Sequence, residues 1–268
     1  MTDRFIITIV LSLLFTLTGF AQEEQLVVNL SPSLNKRSFI FENPKGSIKV
    51  TGYDGNDIVV NATLRIRQEE SRAGNSIKRI EKNPFDISAE TDGNNVTLFS
   101  RTFGKTVDFD IKIPVNFSLK LKSLDNGIIQ VININGDIEA ENPNGSISLE
   151  NISGSAVLST VYGKINAVFR EVKIDYPMMF TSLEGDISLY LPPRINAILR
   201  MKTEGEIYSD FDLIPGQRQS VVKNLENTKV YSLEDWAVDR INSGGPEYVI
   251  RSYSGNIFIK KNSKSGNF

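Results

Sequence analysis

The sequence predicts an all-β fold, and within that class a single-stranded β-solenoid, a β-helix-like repeat domain. Three observations predict it. Apolar and polar residues alternate with period two over long stretches. Glycines recur at a fixed step of nine, each followed two residues later by an aliphatic residue. No segment sustains a clean helical period. Residues 68–82 come nearest, and they are charged and interrupted by Gly74.

From the amino end, residues 5–20 are almost wholly apolar after a polar start that holds Arg4. Gly19 and Ala21 put small residues at the −3 and −1 positions of a cleavage site. Residues 1–21 therefore read as a signal peptide, too short for the roughly 20 residues of a membrane span. Residues 22–262 then form one domain, with inserts near 68–82 and 215–240, and 263–268 read as a flexible tail. No transmembrane segment is expected after signal cleavage.

The alternation is clearest from Phe109 to Leu121, where odd positions are apolar and even ones are Asp110, Lys112, Pro114, Asn116, Ser118 and Lys120. Proline cannot donate to a strand ladder, so Pro114 marks an edge, a bulge or a break. The repeat follows. Gly127, Gly136, Gly145, Gly154 and Gly163 precede Ile129, Ile138, Ile147, Ala156 and Ile165. Similar units begin at Gly46, Gly185, Gly205 and Gly255. An eighteen-residue period is also visible, because it aligns Asn133 with Asn151 and Ile134 with Ile152. In the next row Val172 replaces the second glycine and keeps Ile174 and Tyr176 in register, after which the spacing widens to 22 and then 20.

A strand of about five residues cannot bury its own face, but stacked copies can, with aliphatic side chains in columns. Glycine is expected to supply positive φ at the corners, and Asn before it tolerates the same region. The alternative is an antiparallel β-sandwich, since Asn-Gly is also the strongest hairpin signal. End rungs would expose pairing edges, so how residues 26–41 and the C-terminus are capped is an open question.

Composition narrows the chemistry. The chain has 268 residues, a net charge of −2, no Cys and no His. Thiolate chemistry and histidine-based triads are excluded, and a near-neutral charge gives no case for nucleic acid. Asp108 and Asp110 lie on one strand face about 7 Å apart. Paired carboxylates at such a distance can serve glycoside hydrolysis, but Lys112 continues the face and a solvated ion pair is the plainer reading. Asp92-Gly93-Asn94-Asn95 and Asp54-Gly55-Asn56-Asp57 resemble fragments of calcium loops, yet neither continues into one, and both read as turns. Asn133 and Asn151 are placed to form an amide ladder. Trp236, with Tyr231, reads as the anchor of a long loop, or as a sugar-binding platform. Lys260, Lys261 and Lys264 read as a frayed, solvated terminus. No catalytic, cofactor-binding or metal site is assigned.

Residues 45–66 (KGSIKVTGYDGNDIVVNATLRI), 109–154, 183–213 and 241–261 (INSGGPEYVIRSYSGNIFIKK) resemble the DUF4097 family of adhesin-like envelope proteins. The resemblance implies a β-solenoid in the periplasm or on the cell surface. It also implies the neighbourhood of envelope-stress sigma and anti-sigma factors, and it brings no catalytic residues. The expected role is a non-catalytic, exported protein that binds a surface, glycan or envelope-protein partner. The alternatives are a polysaccharide-active enzyme on the same scaffold and a periplasmic accessory of stress signalling.

Overall fold

A computed structural model describes residues 23–263 except 31–35, 66–84, 103, 126, 174–175, 217–219, 226–227 and 234–235, with backbone only over 220–225 and 228–233. The expected signal peptide, the 68–82 insert and 264–268 lie outside the described residues. In chain order the strands are β1 (Glu23–Asn29), β2 (Arg37–Asn43), β3 (Ile48–Tyr53), β4 (Asp57–Leu64), β5 (Ile87–Asp92), β6 (Asn95–Ser100), β7 (Val107–Pro114) and β8 (Phe117–Ser123). Next come β9 (Ile129–Ile132), β10 (Ile138–Asn142), β11 (Ile147–Gly154), β12 (Ala156–Thr160), β13 (Ile165–Val172), β14 (Met178–Ser182), β15 (Ile187–Leu191) and β16 (Ala197–Lys202). The last are β17 (Ile207–Ser209), β18 (Leu213–Pro215), β19 (Ser220–Leu225), β20 (Thr228–Leu233), β21 (Ala237–Ile241), β22 (Glu247–Ser252) and β23 (Ile257–Lys261).

Successive nine-residue units alternate between two sheets, so one full coil takes eighteen residues. Ile129 pairs with Ile147 and Ile147 with Ile165 in one sheet. Ile138 pairs with Ala156 in the other. Parallel pairing throughout this block rules out the antiparallel sandwich for it, since a meander would alternate direction. Along strands β9 to β13 every second side chain is buried, apart from the bulge in β11, and the two inner faces share one core. Ile48, Ile129, Ile147, Ile165, Ile187 and Ile257 are all 0–1% exposed. Edge-on ring pairs, Phe41 with Phe109 and Phe169 with Phe180, fill the wider parts.

Strand order departs from chain order at both ends. The first sheet runs β1-β4-β7-β3-β9-β11-β13-β15-β23-β17, and the second β18-β21-β16-β22-β14-β12-β10-β8-β2-β6-β5. Taken as rungs, the stack reads β6/β7, β2/β3, β8/β9, β10/β11, β12/β13, β14/β15, β22/β23, β16/β17. The first and the last coils in sequence are thus each inserted one rung inside an end. Antiparallel strands cover three of the four sheet ends: β4 and β1, β5, and β21 with β18. The last strand, β23, is therefore interior and needs no cap, and Lys260 and Lys261 sit in it rather than in a frayed tail. The uncovered end is β17, where Ile207 is 37% exposed, so one of the eight repeat isoleucines does not join the core.

Two further expectations change. Val172 does stand beside Gly154, but four extra residues follow it, and Met178 rather than Ile174 resumes the register; Ile174 lies outside the described residues. The role of the glycines differs in part: Gly46, Gly154 and Gly185 have the expected positive φ, at 118°, 151° and 156°, and the other repeat glycines do not. A Cβ on Gly145 would lie 1.9 Å from the carbonyl oxygen of Gly127, and one on Gly163 would lie 2.2 Å from that of Gly145. Neither has positive φ. Close approach of stacked corners, not a left-handed backbone, demands these glycines.

Candidate functional site

The two carboxylates singled out for hydrolysis are tied to different cations. Arg65, just after β4, donates to both oxygens of Asp108 at 2.5 and 2.6 Å, and the Ser47 amide donates to it at 2.7 Å. Lys49 on β3 holds Asp110 at 3.1 Å. Asp108 thus fastens the end of β4 to β7, and Asp110 joins β7 to β3. Both acidic loop fragments are turns: residues 54–56 between β3 and β4, and Gly93, at φ 58°, between β5 and β6.

The amide ladder forms. Asn151 Nδ2 donates to Asn133 Oδ1 at 3.0 Å, and Asn133 Nδ2 donates to the Gly52 carbonyl at 2.9 Å. Both asparagines have φ near 60°, and Asn151 lies where the β11–β13 register shifts. Trp236 packs under the guanidinium of Arg200, 4.9 Å from the ring centroid, which supports the anchoring role. The side chain of Tyr231 lies outside the described residues.

The two edges of the solenoid differ. Where the chain passes from the second sheet to the first, a buried polar side chain in each of five coils donates to the carbonyl of the glycine in the neighbouring rung. Ser123 bonds Gly46, Asn142 bonds Gly127, Thr160 bonds Gly145, Ser182 bonds Gly163 and Ser252 bonds Gly185, at 2.8–3.1 Å. These side chains are 0–3% exposed. The spine caps carbonyls that would otherwise be buried without partners. The sequence reading missed it, although the signal is there: Asn, Ser or Thr stands three or four residues before each glycine.

The opposite edge, from the first sheet to the second, is open and cationic. A trough of about 650 Å³ runs past Arg37, Asn116, Asn135, Ser153, Lys173 and Tyr176. A second hollow of about 390 Å³ shares Glu171, Val172 and Lys173 with it and continues past Arg194 to Gly245 and Tyr248. Polar contacts link the rungs: Asn135 donates to Asn116 at 3.2 Å, Arg170 to Asn135 at 2.6 Å, and Ser153 to Glu171 at 3.2 Å. Lys173 pairs with Asp137, which also accepts from Ser155 at 2.7 Å. Burial pushes the Asp137 carboxyl up, but bonds from Lys173 and Ser155 and the charges of Lys173 and Lys36 outweigh it and hold it below the usual value. Tyr248 is fully buried, and its hydroxyl has no hydrogen-bond partner among the described residues. Burial pushes that phenol up to about 12, so it stays a neutral donor at any ordinary pH.

No family model and no curated protein matches the chain, so the family resemblance of its motifs stays a resemblance. Solved structures do resemble it at low identity. A candidate cell adhesion protein from Clostridium sporogenes is 11% identical, with 90% of this chain and 100% of that chain covered and a TM-score of 0.44. A candidate adhesin from Bacteroides fragilis is 13% identical, with 90% and 97% covered and a TM-score of 0.36. A candidate lipid-binding protein from Parabacteroides distasonis is 10% identical, with 91% and 98% covered and a TM-score of 0.35. At these values the likenesses carry nothing about function.

Proposed function

We propose that the chain is an exported, non-catalytic protein of the cell envelope or surface, whose solenoid presents rigid polar flanks to a partner. The observation that carries this reading is the open trough along one edge, built from equivalent corners of successive rungs. Stacked rungs hold such groups at a fixed spacing, about 4.8 Å apart. A rigid array loses little freedom on binding, which favours recognition of an extended ligand. The expected signal peptide supports export. The outward face of the second sheet is laced by cross-rung pairs, Lys120 with Glu139 and Lys122 with Glu141, of the kind that keep an exposed sheet soluble.

The enzymatic alternative rests on Asp108 and Asp110, and both are held by cations in the ladder. The deciding experiment incubates residues 22–268 with a panel of polysaccharides and follows both retention and release of reducing ends. Binding without cleavage is expected, with the same outcome for Asp108→Asn and Asp110→Asn. Cleavage abolished by either substitution would overturn the reading. Surface-protease treatment of intact cells would place the protein outside or inside the outer barrier.

A further inference from the structure

We propose that the open edge is a binding site for an anionic polysaccharide, one whose sugars carry carboxylate, phosphate or sulfate groups. The inference deepens the binding role proposed above and depends on it.

Charge is the first argument. The chain as a whole carries −2. Among the described residues along this edge, the cations Lys36, Arg37, Arg170, Lys173 and Arg194 outnumber the carboxylates Glu171 and Asp137. Lys173 is neutralised by Asp137. Lys36 and Arg194 stand exposed towards the two ends, without an ion pair among the described residues. A surplus of positive charge in a concave groove concentrates anions.

Shape is the second argument. The cations do not share one rung. Arg37 begins β2, Arg170 and Lys173 lie at the end of β13, and Arg194 follows β15. From the β2 rung to the β14/β15 rung is four steps, or about 19 Å at the usual strand spacing. A single small anion would need converging donors. Cations spread along a groove match charges repeated along a polymer.

The groups between the charges suit a sugar. Tyr176 lines the middle of the trough and is 46% exposed, with the Lys173 ammonium 4.9 Å from its ring centroid. An exposed ring offers a flat apolar face to the C–H side of a sugar. Asn116, Asn135 and Ser153 supply hydroxyl-matching donors and acceptors at successive corners. At the far end the hollow closes on Gly245, Pro246 and Tyr248.

The test is retention of residues 22–268 on polygalacturonate, dextran sulfate and neutral dextran, with phosphatidylglycerol vesicles as a fourth arm. Binding to one or both charged glycans, weakening as salt rises, and none to neutral dextran is expected. Which charged glycan binds distinguishes carboxylate from sulfate recognition. Lys36→Glu with Arg194→Glu should weaken binding by roughly tenfold, about 1.4 kcal/mol, at an unchanged melting temperature, because both side chains are exposed. Tyr176→Ala should weaken it as well. Undiminished glycan binding by the charge-reversed variant would overturn the site while leaving the binding role intact. Binding to vesicles alone would overturn the ligand class, and retention in no arm would overturn both.

Discussion

At the scale of single residues, this protein is governed by what a stacked corner leaves no room for. Gly145 has a carbonyl oxygen 1.9 Å from where its Cβ would stand. Gly145→Ala is expected to cost about 1–3 kcal/mol, the range for forced overpacking, read as a lower urea midpoint. Gly93→Ala, with nothing within 4 Å of the added carbon but φ 58°, should cost only about 1–2 kcal/mol of backbone strain. The glycine spacing was legible in the sequence, but its cause was not, because inter-rung distance is a tertiary property. Asp137 adds a pH dependence. Its folded pKa is lowered from 3.8, so its contribution to stability is full above that value and is lost as pH falls through the folded value. Asp137→Asn should therefore be less stable than the wild type at pH 7, and the gap should narrow at about pH 2. A gap that widened in acid would contradict the assignment.

At the scale of elements, the strands were readable because burial follows period two, and the parallel stacking because every unit repeats the same phase. Phe109, Ile111, Ile113, Phe117, Leu119 and Leu121 are all buried as the alternation requires. Pro114 ends β7 where its missing donor would have broken a ladder. Less legible were the bulges. Asn133 and Asn151 were recognised as stacked, yet the left-handed backbone that selects asparagine there shows only in the dihedrals. Asn151→Gly should keep the turn and lose one side-chain bond, about 1 kcal/mol. Asn151→Ala should lose the bond and add about 1–2 kcal/mol of strain. Equal destabilisation by the two, measured by denaturant unfolding, would argue that the bond matters and the conformation does not. The polar spine was visible in principle as Ser, Thr or Asn before each glycine. It was overlooked because a short polar residue before glycine also reads as turn chemistry. The cationic edge was not legible at all, since Arg37, Lys173 and Arg194 are far apart in sequence and meet only through coiling.

At the scale of the whole molecule, the decisive feature is that β2/β3 and β22/β23 are tucked one rung inside the ends. A serial solenoid could lose a terminal coil and shorten by one rung. Here β2/β3 precedes its outer neighbour β6/β7 in the chain and β22/β23 follows its outer neighbour β16/β17, so the ends are locked by long-range contacts and by the antiparallel strands that cover three of the four sheet ends. Sequence repeats cannot reveal such an order, because Gly185, Gly205 and Gly255 start equivalent units and nothing local says which stacks on which. The chain has no Cys, so engineered pairs can read the order directly. Thr181 on β14 pairs with Arg251 on β22, which in turn pairs with Lys202 on β16. Neighbouring positions lie within disulfide reach, while positions two rungs apart, about 10 Å, do not. Thr181→Cys with Arg251→Cys is expected to oxidise to an intramolecular disulfide, and Thr181→Cys with Lys202→Cys to stay reduced. A bond in the second pair and none in the first would show that the coils stack in chain order, and the architecture described here would be wrong.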